Sequence, residues 1–169
     1  MSNQGKKIFL ALSVIIPIFL YCIYYYGIMI KNAPYKFSEF DSITFQYGLG
    51  DSLVNKYDSK TGNYQYLNKE DSLIKTRVRL RKDDLLYLHR KAADLGFWNF
   101  PKEIVPSESK RNSPRYILEF KYQRKSKRVV FDADFDGDQR LKDAARILIG
   151  EVSRTINDAE DRNRRVSAK

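Results

Sequence analysis

The sequence is poor in the residues that most often carry chemistry. It has one cysteine, Cys22, inside an apolar run, and one histidine, His89. Beyond that run there is no thiol to form a disulfide, ligate a metal or act as a nucleophile. His89 follows Leu88 on a predicted amphipathic helix, so we interpret it as a partly buried structural histidine rather than a general base.

Phosphate-binding and zinc-binding patterns are also missing. No glycine-rich phosphate loop occurs, and no pair of cysteines or histidines has the spacing of a zinc site. Trp98 stands between phenylalanines at the end of a predicted helix, which is typical of core packing. Together these absences weigh against an enzyme, although a catalytic site spread over several loops would leave no local motif.

What the chain does have is a positive charge. Its 31 Lys and Arg residues exceed its 21 Asp and Glu residues, for a net charge of +10, and 43% of its residues are hydrophobic. The hydrophobic content predicts a folded domain with its own core. The charge favours an anionic partner such as a polymer, a lipid surface or an acidic envelope protein, and we do not expect nucleic acid.

An uncharged run of 23 residues covers 8–30. At 1.5 Å per helical residue it would reach about 34 Å, more than the roughly 30 Å of a hydrocarbon core. Tyrosines gather in its second half, and lysines flank it, as at membrane interfaces. The run therefore predicts a transmembrane anchor in a single-pass membrane protein, after a stub at 1–7 and before a tether at 31–40.

Processing signals provide alternatives to a retained anchor. A cleaved signal peptide needs small residues before the cut, yet the best candidate site has Lys31. A lipoprotein needs a small residue before Cys22, where Tyr21 stands, and a pilin-like signal does not fit Lys6 and Leu10. The lysine counts on the two sides of the run are nearly balanced. The short N-terminal stub, which carries the nearer charges, slightly favours a domain on the periplasmic or extracellular side.

Alternating patterns predict the elements of the domain at 41–158. Apolar residues at every second position predict strands over 41–47, 53–57, 63–67, 74–80, 116–122 and 128–133. Residues 58–62 predict a hairpin turn. Helical spacing predicts one helix starting near Asp83 and stopping at Gly96, and another over about 139–158. Residues 159–169 predict a basic, flexible tail.

This order, β-β-β-β-α-β-β-α, predicts an α+β fold. We expect an antiparallel sheet of about six strands with both helices packed on one face. Over 41–157 the order, together with the stretch from Leu85 to Trp98, resembles uncharacterised exported bacterial α+β domains found on lipoproteins and membrane anchors. The resemblance implies the fold and brings no functional residues with it.

An aspartate-rich loop is the sharpest local pattern. The acids resemble an EF-hand calcium loop, with carboxylates at positions 1, 3 and 5, glycine at 6 and an acid at 12. The candidate ligands are Asp132, Asp134, Asp136, Asp138 and Asp143. Position 8 is Gln139 instead of an apolar residue, and a strand enters where EF-hands have a helix. We therefore prefer strand-end residues, a turn at Asp136 and an N-cap at Asp138, with Ca²⁺ as the alternative cofactor.

A basic strand face is the second pattern. Lys75, Arg77, Arg79 and Arg81 alternate with apolar residues, and Lys121 could join them from another strand. Such a face could bind phosphates or other anions, with Tyr64, Tyr66 and Tyr122 as stacking surfaces. A solvated outer face explains the same alternation, since charge alone specifies no partner.

These observations lead to one functional expectation. We expect a membrane-anchored extracytoplasmic domain that acts as a non-enzymatic binding or envelope-assembly module. A calcium-stabilised structural domain and an enzyme without local motifs are the alternatives.

Overall fold

The computed structural model describes residues 3–31, 35–107 and 113–167. The chain divides into two units, Met1–Tyr35 and Lys36–Lys169. The first contains a single long helix, α1 (Asn3–Lys31), with Pro17 inside it.

The predicted transmembrane anchor is not supported. In the part of the chain that the structure describes, no helix is long and apolar enough to cross a membrane. The side chains at 8, 10 and 27–30 lie outside the described residues. This finding corrects the prediction of an anchor over 8–30 and of a single-pass membrane protein with an extracytoplasmic domain.

The second unit is an α+β domain, which confirms the predicted class. Its sheet has the order β4-β3-β2-β1-β6-β7-β5. The strands are β1 (Phe40–Leu49), β2 (Ser52–Asp58), β3 (Asn63–Leu67), β4 (Leu73–Arg77), β5 (Glu103–Ile104), β6 (Pro114–Tyr122) and β7 (Ser126–Asp132). The helices are α2 (Lys82–Asp94) and α3 (Gln139–Ser167). Two 3-10 turns, at Phe37–Glu39 and Phe97–Asn99, complete the domain.

The sheet differs from the prediction in strand number and direction. It has seven strands rather than about six, and it is mixed, because β5 runs parallel to β7. A strand of two residues is too short to show an alternating pattern, so 103–104 read as loop. Its pairing depends on a distant residue, since the Val130 N–H donates to the Lys102 carbonyl at 2.9 Å.

Turn chemistry explains the β2–β3 hairpin. Gly62 has a φ of +72°, a conformation that glycine adopts at little cost. Its N–H donates to the Asp58 carbonyl at 2.8 Å, and its own carbonyl accepts from the Val78 N–H at 2.8 Å. The predicted turn at 58–62 is confirmed, and the glycine also connects the hairpin to the segment that follows β4.

The core lies between the helices and one face of the sheet, which we call the inner face. Apolar side chains of the central strands are buried there, including Ile43, Phe45, Leu118, Phe120 and Phe131. From α3 the buried residues are Ala145, Leu148, Val152, Ile156 and Ala159. Full burial of each large side chain stabilises the fold by about 1.5–3 kcal/mol. The opposite, outer face of the sheet carries the alternate side chains.

The last helix is longer than the sequence suggests. α3 continues to Ser167, through most of the stretch 159–169 predicted as a tail; residues 168–169 lie outside the described part. Ala159 is buried, and the Tyr66 hydroxyl donates to Glu160 Oε1 at 3.0 Å. Contacts with the sheet therefore hold the helix beyond residue 158.

Candidate anion-binding face

Strand register brings two lysines together on the outer face. Gln46 lies opposite Lys56, Lys56 opposite Gln65, and Gln65 opposite Lys75. These four residues form a transverse row across β1 to β4, which we call the cationic row. Side chains directly opposite on neighbouring strands have Cβ atoms about 5 Å apart, so Lys56 and Lys75 stand roughly 10 Å apart with an amide between them.

The next row along the strands mixes charges. It runs Arg77, Asn63, Asp58, Thr44, Glu119 and Arg128. The Asp58 carboxylate is used within the β2–β3 turn, where Oδ1 accepts from the Lys60 N–H at 2.8 Å and Oδ2 from the Thr61 hydroxyl at 3.2 Å. Glu119 lies 3.6 Å from Lys121. The acids of this row therefore have partners other than the lysines of the cationic row.

A concave depression of about 550 Å³ lies over β1 to β4. Its lining includes the four residues of the cationic row together with Thr44 and Asn63. Lys56 and Lys75 are exposed, and among the described residues neither has an ion-pair partner within 4 Å. The depression therefore offers two ammonium groups, amides and a hydroxyl to a ligand, which suits anionic or strongly polar chemistry.

The structure divides the predicted basic strand face. Lys75 and Arg77 lie on β4, whereas Arg79 and Arg81 lie in the connection to α2. Just beyond Arg77, Val78 is buried in the core, and its carbonyl accepts from the buried Tyr57 hydroxyl at 3.2 Å. The Arg81 N–H donates to Asp84 Oδ2 at 2.8 Å and so starts α2. α2 thus begins at Lys82, one residue before the predicted cap Asp83.

The tyrosines considered as stacking surfaces lie on the inner face. Tyr64 and Tyr122 are buried, and the Tyr66 hydroxyl contacts Glu160 of α3. Burial, followed by the hydrogen bond with the Tyr47 hydroxyl, raises the pKa of Tyr64 well above its ordinary value. No ring of this set is available to a ligand in the depression, so binding there would depend on charge and hydrogen bonds.

The aspartates of the calcium-like loop have separate partners. Asp132 is 1% exposed, and both of its oxygens bind Arg115, with Nε–Oδ1 at 2.7 Å and Nη2–Oδ2 at 3.0 Å. This pairing raises the pKa of Arg115, first through the hydrogen bond to Asp132. Arg115 Nη1 also contacts Asp51 at 2.5 Å. The first position of the loop is thus already neutralised by a guanidinium.

The other loop acids serve local structure. Asp138 Oδ1 accepts from the Leu141 N–H at 2.7 Å, which confirms the interpretation of Asp138 as an N-cap. Asp136 Oδ1 accepts from the Ser107 N–H at 3.3 Å, and Asp143 Oδ1 accepts from the Gln139 amide at 2.8 Å; Asp134 is exposed. Across the described residues, no group of three or more acidic, histidine or cysteine side chains is arranged to hold a metal ion.

His89 lies in an aromatic cluster on the inner side. Its Nδ1 is 2.8 Å from the Tyr122 hydroxyl, and the side chain is buried. The rings of Phe37, Trp98 and Tyr122 surround it at centroid distances of 5.5, 5.7 and 5.9 Å. Burial, followed by the charge of Arg90, lowers the pKa of His89. These contacts fit the structural role predicted for this histidine.

Sequence reasoning missed three of the four residues of the cationic row. Lys56, Gln46 and Gln65 each alternate with an inward aromatic residue, a signal visible in the sequence, but three polar residues from three strands meet only through register. The Arg115–Asp132 pair was missed for the same reason. No known protein family matches the chain, and no curated protein matches it, so the functional argument starts from this geometry.

Proposed function

We propose that the domain over 36–167 is a non-enzymatic binding module that holds an anionic ligand on the outer face of its sheet. The observation that supports the proposal is the cationic row: two exposed lysines separated by an amide, above a depression, without an acidic partner among the described residues. An anion that lies between the two lysines is attracted by both ammonium groups.

The ligand is expected to make many weak contacts. Exposed ammonium groups are well hydrated, and at physiological ionic strength charges farther apart than about 8 Å are largely screened. One lysine therefore contributes little, whereas an extended anion that reaches both lysines and the amides gains from each. Binding should weaken steeply as salt concentration rises.

Chemistry in the depression has less support than binding. Its carboxylate, Asp58, is tied into the β2–β3 turn, and His89 is buried in the aromatic cluster. The depression is also open, which favours recognition of an extended ligand over enclosure of a reacting group.

A matched pair of double variants tests the proposal on the full chain. K56Q/K75Q removes the two lysines of the cationic row. K82Q/R146Q removes the same amount of charge from exposed positions on α2 and α3. Binding to fluorescent poly-L-glutamate and to polyphosphate is measured by fluorescence polarisation at 50 and 200 mM salt.

We expect roughly tenfold weaker binding for K56Q/K75Q and less than a twofold change for K82Q/R146Q, since only the first pair shares one ligand. Equal losses for the two variants would show that net charge, not the cationic row, attracts the polymer. That result would refute the proposal.

A further inference from the structure

The outer edge of β4 is open. β4 is the terminal strand of the sheet and pairs on one side with β3. Two backbone hydrogen bonds show which residues of β4 direct their N–H and C=O groups toward β3. The Asn68 N–H donates to the Ser72 carbonyl at 3.0 Å, and the Val78 N–H donates to the Gly62 carbonyl at 2.8 Å. In an antiparallel pair the backbone groups alternate in direction. The backbone groups that face β3 are therefore those of Ser72, Ile74, Thr76 and Val78.

It follows that the backbone groups of Leu73, Lys75 and Arg77 face away from the sheet. The Arg77 carbonyl accepts from the Asn163 amide at 3.3 Å. For Leu73 and Lys75, the described residues provide no hydrogen-bond partner on this side. A free edge of this kind is a template for a further strand. The other edge strand, β5, has only two residues.

The side chains beside this edge have a definite chemistry. Leu73, Lys75 and Arg77 project on the outer face, where the register places Leu67 opposite Leu73. Leu67 and Leu73 are 39% and 46% exposed, and both cationic side chains are exposed. One short strand thus presents an apolar contact followed by two positive charges, and Lys56 of the cationic row lies two strands further into the sheet.

We propose that the ligand is an extended acidic peptide segment of a partner protein, which adds to β4 as an eighth strand. This inference rests on the proposed function and names its ligand class. The charges select the occupant: Lys75 and Arg77 repel the same edge of a second copy, as charged residues on edge strands commonly do, and they attract carboxylates. The backbone of Leu73 and Lys75 supplies hydrogen bonds that a polyphosphate cannot match in register.

Antiparallel addition predicts the sequence of the segment. Read from its N-terminus, it places acidic residues opposite Arg77 and Lys75 and an apolar residue opposite Leu73, at alternate positions. The two residues between them lie toward Ile74 and Thr76, so β-branched apolar residues suit them. A labelled peptide of sequence Ser-Thr-Glu-Val-Glu-Val-Leu-Thr-Ser has this pattern.

Backbone methylation of the peptide separates strand addition from charge attraction. The N–H of the second glutamate points to Lys75, whereas the N–H of the second valine points to solvent. Methylating the glutamate nitrogen should weaken binding to the full chain at least tenfold, and methylating the valine nitrogen less than threefold, as expected for loss of a backbone hydrogen bond at one position only.

Two protein variants provide an independent measurement. K75Q removes the charge alone, and K75P also removes the outward N–H, which proline on an edge strand can do without breaking the pairing to β3. Thermal unfolding and circular dichroism establish that both are folded. We expect K75P to bind at least fivefold more weakly than K75Q; the methylated peptides give the answer on wild-type protein if K75P does not fold.

The remaining outcomes each refute a different statement. Equal effects of the two methylations would overturn strand addition, while a poly-L-glutamate interaction that still needs Lys56 and Lys75 would keep the proposed function. Binding of polyphosphate but not of the peptide would overturn the peptide as ligand. Concentration-dependent dimerisation lost in K75P, measured by sedimentation, would show that a second copy occupies the edge and would overturn the proposal as well.

Discussion

Removing Arg115 should destabilise the domain strongly, because it leaves the buried carboxylate of Asp132 without its ion-pair partner. Asp132 is 1% exposed, and both of its oxygens accept hydrogen bonds from the Arg115 guanidinium. Breaking a buried ion pair by removing one partner typically costs about 3–5 kcal/mol. The Arg115 side chain is 20% exposed, so water can partly reach the site in Arg115→Met. We therefore expect a loss of about 3 kcal/mol in the free energy of unfolding.

Urea unfolding followed by circular dichroism measures this loss, on the full chain at pH 7. A loss of that size lowers Tm by about 10 °C in a domain of this size. The double variant R115M/D132L should recover much of the stability, since well-packed apolar residues often replace a buried ion pair at little cost. Lys60→Met, which removes a lysine paired with Asp41 on the surface, is the matched control and should leave Tm nearly unchanged.

A difference in unfolding free energy below about 1 kcal/mol between Arg115→Met and the wild type at pH 7 would refute the reasoning.

Three other expectations follow from the described contacts. Burial lowers the pKa of His89 below its ordinary 6.5, so the unfolded chain binds a proton more readily than the native state. The free energy of unfolding should therefore be greatest above pH 6.5 and fall as the pH drops below it. In His89→Gln, the free energy measured by urea unfolding between pH 7 and 5 should depend less on pH. Gly62→Ala should lower the free energy of unfolding by about 1–2 kcal/mol, since the backbone has a φ of +72° and the added Cβ would lie 3.2 Å from the Val78 carbonyl oxygen. The control Gly150→Ala, on an open face of α3, should not destabilise the domain. Similar unfolding curves for the two variants would contradict this expectation. Millimolar Ca²⁺ should leave the Tm of the wild type and of Asp136→Ala unchanged, because Arg115 already binds Asp132. A calcium-dependent rise in Tm that is lost in Asp136→Ala would instead favour the calcium alternative.

The local elements of the domain could be predicted from the sequence, since their causes are local. Alternation of Ile43, Phe45 and Tyr47 with polar residues is enough to form a half-buried strand. The turn residues around Gly62 and the side chain of Asp138, which caps α3, act within a few residues of themselves. The α+β class followed from these signals and their order.

Elements that depend on distant partners could not be predicted. β5 exists through its pairing with β7, and α3 persists beyond 158 through contacts such as that of Glu160 with Tyr66. At the N-terminus, an apolar run suggested an anchor, but no helix in the described part of the chain is long and apolar enough to cross a membrane.

The candidate site divides in the same way. The sequence by itself determined that Lys75 and Arg77 share a strand face and that the protein carries a net positive charge. Only the tertiary structure decided that Lys56 and Gln65 stand beside Lys75, that Arg79 and Arg81 leave the strand, and that Asp132 is neutralised by Arg115. The physical reason is register: which side chains meet across a sheet depends on how strands far apart in the chain align, and no single strand encodes that alignment.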